Sequence, residues 1–163
     1  MDKNSYSLMF PFDFLSNTSQ SKVIYLLSTI AISTIPALSI SFLIYVFFPE
    51  AESPEFPKGI GELFFSVVIF APVVETLLLW LGISIIKKFT ASIWKATLIS
   101  ALLWAIIHSI GTFTHGFAIF WSFVVFSFVF ISWLEKSRNL ALGMCMATHM
   151  GQNFLVFLLM QIP

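Results

Sequence analysis

The sequence predicts an all-α fold: a polytopic membrane helix bundle of about five transmembrane helices with its N-terminus in the cytoplasm. Three observations carry this. Of the 163 residues 58% are hydrophobic and only 10% charged, too few polar groups to cover the surface of a water-soluble domain. The apolar residues fall into five long runs, each close to the roughly 20 residues that cross a hydrocarbon core as a helix. The basic residues gather in alternate connections between those runs, as they do where lysine and arginine stay on the cytoplasmic side.

Residues 1–21 are polar with scattered aromatics (Phe10, Phe12, Phe14) and lack a basic start, so they are expected in water or at the interface, not as a signal peptide. Residues 22–163 form a single transmembrane domain, since five spans leave no room for a second. The first run, Val23 to Phe48, is too long for a signal-peptide core and is read as a retained span, kinked at Pro36. An acidic loop follows from Pro49 to Gly59, with Glu50, Glu52 and Glu55, three prolines and one lysine, Lys58. The remaining spans are predicted near Leu63–Ile86, Ala96–Ile110, Phe117–Leu134 and Leu140–Ile162. The many phenylalanines of the fourth are expected to face lipid.

With the N-terminus inside, Lys3, Lys22, Lys87, Lys88, Lys95, Lys136 and Arg138 are cytoplasmic and only Lys58 is outside, which places the acidic loop on the outer face. Acidic and basic residues balance at eight each, so no cationic excess suggests a nucleic-acid partner. Cys145 is the only cysteine, which excludes an internal disulfide and a multi-cysteine metal site; it reads as a small buried hydrophobe.

Ionisable residues at bilayer depth cost about 2.5–3.5 kcal/mol each on insertion scales, so each requires a reason. Glu75 in the second span, His108 in the third and His149 in the fifth are such residues. They lie 11, 13 and 10 positions from the cytoplasmic ends at Ile86, Lys95 and Asn139. At a rise of about 1.5 Å per residue, all three are roughly 15 to 20 Å in, level enough to meet. Asn153 projects from the same helical face as His149, and Trp104 from that of His108. Pro72, three residues before Glu75, removes a backbone donor and loosens the helix there. Taken singly, each histidine reads as an interhelical hydrogen-bonding group, Glu75 as a paired carboxyl and Trp104 as packing or an interface anchor. His115, in the short loop Gly111–Gly116, is expected to be solvated. Together, a carboxylate, two imidazoles and an amide at one depth form a set that can activate water and stabilise an oxyanion.

These residues stand in the segments Ala71-Pro-Val-Val-Glu75-Thr-Leu-Leu-Leu-Trp80, Trp104-Ala-Ile-Ile-His108 and His149-Met-Gly-Gln-Asn153. In that order they resemble the motifs of the CAAX-protease and bacteriocin-processing family of intramembrane proteases, also called the Abi family: E-E-x-x-x-R, an aromatic with H four residues on, and H-x-x-x-N. The resemblance covers about residues 61–160. It implies that Glu75, His108, His149 and Asn153 are the catalytic set. Thr76 and Trp80 stand where it expects a second glutamate and an arginine. Both charges are missing together, so neither is stranded in the membrane, and the departure bears on stability and substrate choice.

The resemblance implies an intramembrane endopeptidase. Glu75, helped by His108, would activate a water molecule, and His149 and Asn153 would stabilise the oxyanion. A metal-dependent variant would use Glu75, His108 and His149 to bind Zn²⁺; there is no H-E-x-x-H helix to favour it. The expected partners are the lipid bilayer and a peptide or membrane-protein substrate, the expected location a bacterial plasma membrane. Entry is expected from the cytoplasm or laterally from the bilayer. Two other classes stay open: an inactive relative acting as an immunity factor or scaffold, and a small transporter or proton relay. The latter needs a polar path to both faces, which the apolar outer halves of the second and fifth spans argue against.

Overall fold

The computed structural model describes residues 11–162. Among these, six helices follow one another: α1 (Phe12–Ser16), α2 (Lys22–Phe47), α3 (Ile60–Ile86), α4 (Ile93–Gly111), α5 (Phe113–Leu134) and α6 (Arg138–Leu159). No strand occurs among the described residues. The five long helices are each long and apolar enough to cross a bilayer, so the chain is a polytopic all-α membrane protein. Lys3 and Phe10 of the predicted polar N-terminal segment lie outside the described residues.

Neighbouring helices run in alternating directions. The Tyr25 ring lies 5.2 Å from Trp133, which sets the start of α2 beside the end of α5. The Arg138 guanidinium lies 5.3 Å over the Trp80 ring, which sets the start of α6 beside the second half of α3. Lys22, Lys87, Lys88, Lys95, Lys136 and Arg138 therefore share one end of the bundle, and the loop with Glu50, Glu52 and Glu55 occupies the other. Helix α1 is more than an interfacial segment. Leu15 is fully buried, its carbonyl accepts from the Tyr25 hydroxyl at 2.7 Å, and Phe12 packs edge-on to Trp94 at 4.3 Å.

Helix α5 is the centre of the bundle, packed against α2, α4 and α6, and every residue from Ser122 to Trp133 is buried. Phe123, Phe126, Phe128 and Phe130 thus face protein, contrary to the expectation that the phenylalanines of this span face lipid, while Phe113 and Phe117 at its start are exposed. The reason is physical: hydrocarbon and protein interior are equally apolar, so a helix that is hydrophobic all round suits either. The connection expected over Gly111–Gly116 shrinks to Thr112, because Gly116 is a packing residue instead of a turn residue. A Cβ there would lie against the Ala105 carbonyl oxygen and the Ser109 hydroxyl, so glycine is what lets α5 cross α4 this closely.

Two prolines shape the bundle, and both are answered by side chains from other helices. Helix α2 continues through Pro36, whose ring nitrogen cannot serve the Ile32 carbonyl; Trp121 of α5 donates its Nε1–H to that oxygen at 2.8 Å. In α3 the segment Phe65–Phe70 is π-helical, and the Ala71 N–H bonds to Ser66 O, five residues back. In that register the Val67 carbonyl would be served by residue 72, a proline with no N–H. Asn153 of α6 supplies the missing donor, Nδ2 to Val67 O at 2.9 Å. Further polar pairs cross between helices: Thr29 with Thr148 at 3.0 Å, and Ser127 donating to Ser100 at 2.9 Å.

Candidate active site

The π-helical turn and Pro72 end one residue pair before Glu75, and they set the carboxylate between α4 and α6. Its Oε1 lies 3.8 Å from His108 Nε2 and its Oε2 3.6 Å from His149 Nε2, so each imidazole addresses a different carboxylate oxygen. Three helices remote in sequence thereby meet at one acid. Both separations exceed a direct hydrogen bond, leaving space that a bound reactant would tighten. The Nδ1 of His108 lies 3.0 Å from Trp104 O. A carbonyl can only accept, so Nδ1 carries the proton, and in the neutral ring Nε2 is an acceptor turned to Glu75.

The second wall of the site comes from α5. Phe126 stacks on His149 at 4.3 Å, while Phe123 lies 5.4 Å from His108, 5.8 Å from His149 and stacked on Trp104 at 4.7 Å. These rings fix both imidazoles and exclude lipid. Sequence spacing does not reveal them, since nothing separates a phenylalanine that clamps a histidine from one facing an acyl chain. His115 is also corrected: it sits in the first turn of α5, half-buried, with its ring 5.4 Å from that of His108.

A cavity of about 340 Å³ joins these groups and includes Glu75, His108, His115, His149, Gln152 and Asn153 in its wall. It rises toward Phe56 and Pro57, at the acidic-loop end, and not toward the lysine-bearing end, which was one of the two expected routes of entry beside lateral access from the bilayer. Asn153 is at the site, yet one of its two amide hydrogens is committed to Val67 O, so it holds α3 in place as well as facing the cavity. Its neighbour Gln152, which the spacing argument passed over, donates to Ser122 Oγ at 2.8 Å and leaves its own oxygen buried without a partner. Such an orphan costs about 1–3 kcal/mol.

Thr76 is buried beside Glu75 with its hydroxyl unpartnered, and Trp80 is half-buried under the Arg138 guanidinium. A cation therefore does reach position 80, from another helix. One carboxylate and two imidazoles are donors of the kind zinc takes. Among the described residues no group of three or more His, Cys, Asp or Glu side chains is arranged to hold a metal ion.

Fold and site together define a polytopic α-helical membrane protein with a carboxylate held between two imidazoles inside the bundle. No family model, no curated protein and no solved structure matches the chain.

Proposed function

We propose that the chain is an intramembrane endopeptidase of the CAAX-protease and bacteriocin-processing type, acting on a peptide or membrane-protein substrate in a bacterial plasma membrane. The observation that carries this reading is Glu75 with one carboxylate oxygen toward His108 and the other toward His149, within the walls of a cavity among membrane-spanning helices.

Ionised Glu75 takes a proton from a water molecule whose oxygen bonds to the scissile carbonyl carbon. The Nε2 of His108, an acceptor because Nδ1 serves Trp104, orients that water. The oxyanion accepts hydrogen bonds from His149, in its Nε2–H tautomer, and from the Asn153 amide hydrogen not used by Val67. Collapse of the intermediate breaks the C–N bond, and Glu75 returns its proton to the leaving amine. Phe126, stacked on His149, and Phe123, tilted against His108 and edge-on to His149, hold the imidazoles against rotation, which is what pre-organisation of such a site requires.

The test is cleavage of a quenched fluorescent peptide library by the purified protein and by Glu75→Ala, His108→Ala and His149→Ala, with and without a strong zinc chelator. Each variant is expected to lose at least about 100-fold in kcat/KM. Insensitivity to the chelator supports the glutamate mechanism, and inhibition the zinc variant. Equal inactivity of wild type and variants with unchanged folding favours an immunity factor or scaffold instead.

A further inference from the structure

The His108 imidazole has three rings around it at nearly equal distance: His115 and Phe123 of α5, each 5.4 Å away, and Trp104 of its own helix at 5.7 Å. Two of them, His115 and Phe123, stand in the wall of the cavity that holds Glu75, and only His115 brings polar atoms to it. The placement follows from helix geometry. His115, Ile119, Ser122 and Phe126 are spaced by four, three and four residues, so they form one stripe of α5, and all four wall that cavity. The same stripe that clamps His149 with Phe126 thus presents an imidazole beside His108.

Among the described residues neither ring nitrogen of His115 has a hydrogen-bond partner, and neither is enclosed by protein. A neutral imidazole carries one N–H donor and one acceptor nitrogen, which complement the carbonyl and N–H of a peptide main chain. Packing alone does not call for them. A phenylalanine ring, which α5 uses at position 123, covers His108 equally well. Through His108, His115 stands within about 12 Å of Glu75, a distance spanned by three or four residues of extended chain. It lies on the outer side, in the first turn of α5, toward the end where the cavity rises to Phe56 and Pro57.

Taking the occupant to be a peptide rests on the peptidase reading above. From its place in the wall, its open nitrogens and its distance from Glu75, we infer that His115 is a substrate-binding residue of this site. Its imidazole hydrogen-bonds the main chain of the substrate within about four residues of the scissile bond, on the acidic-loop side. The contact is to the backbone, so it holds substrates of differing side chains in one register.

The test compares the full-length protein with His115→Phe, which keeps a flat ring and loses both polar nitrogens, and His115→Asn, which keeps a donor and an acceptor and loses the ring. In cleavage of the quenched peptide library, His115→Phe is expected to raise KM about fivefold with kcat little changed, the loss of one neutral hydrogen bond made equally in ground and transition states. His115→Asn should stay within about twofold of wild type. A ring that serves only to pack on His108 gives the opposite order, Phe preserved and Asn impaired, and that order overturns the inference. Should His115→Asn fail to fold, binding decides. The probe is a fluorescent decapeptide of alternating leucine and alanine, titrated onto Glu75→Gln protein in nanodiscs, with its amides replaced by esters one at a time. An ester removes the main-chain N–H and weakens the carbonyl as an acceptor. One position is expected to weaken binding about fivefold, and to have no effect when His115→Phe is added. If the decapeptide does not bind, or His115→Phe changes no ester's effect, the inference is overturned. If His115→Phe acts as stated on binding but protein with intact Glu75 cleaves neither the decapeptide nor any library member, the binding residue stands and the peptidase reading falls. If the protein cleaves peptides and His115→Phe leaves KM and binding unchanged, the reverse holds.

Discussion

The two proline-freed carbonyls show how single side chains can decide where a helix bends and what it presents. Asn153 was legible as a polar residue one turn from His149, but its bond to Val67 O was not, because only the π register strips that carbonyl of its backbone donor. The same holds for Trp121 and Ile32 O. Asn153→Ala is expected to cost about 1–2 kcal/mol, the penalty of a stranded carbonyl. Pro72→Ala restores an N–H at position 72, so the same Asn153 substitution should cost about 1 kcal/mol less in that background. A double-mutant cycle by SDS-induced unfolding measures the coupling, and additivity within error would mean that Pro72 does not create the vacancy Asn153 fills.

Among the elements, the number of spans and their approximate limits could be read directly, because a bilayer imposes one length on every crossing helix. Which helix stands at the centre could not. Helix α5 earns that place by shape: Gly116 admits α4, Ser127 meets Ser100, and Ser122 meets Gln152. Phe126→Ala is expected to destabilise the bundle by about 1–3 kcal/mol. This is less than the same cavity costs in a soluble core, because the unfolded helix keeps its side chain in lipid. Phe117→Ala, on the exposed start of the same helix, should stay within about 0.5 kcal/mol. Gly116→Val should be the most damaging of the three, since it drives α5 off the α4 backbone. Ranking the three variants by unfolding midpoint checks the order.

For the whole molecule, the level depths of Glu75, His108 and His149 were legible because charge in a membrane is rare enough to mark itself. The side on which their cavity opens was not, since that depends on which helices splay and where the acidic loop folds back. Orientation now matters to mechanism: with the lysines inside, the cavity opens outward. Cys145 is fully buried, so single cysteines can be added without removing it. In intact cells a membrane-impermeant maleimide should label Glu52→Cys at once and Lys88→Cys only after permeabilisation. The opposite pattern would invert the bundle and turn the cavity to the cytoplasm.

Helix α5 is among the most apolar spans and α6 is the least, yet the finished protein shields α5 from lipid and leaves α6 partly exposed to it. Biosynthesis reconciles the two. A span leaves the translocon according to its own affinity for hydrocarbon, before its neighbours exist, and α5 is made before α6. Already resident in the bilayer, α5 offers the Ser122 hydroxyl, the Phe126 carbonyl and close-fitting rings to a helix that is only marginally able to enter alone. What makes α5 dissolve in lipid is thus a requirement of its first seconds, and what sheathes it afterwards is the arrival of the segment that carries His149.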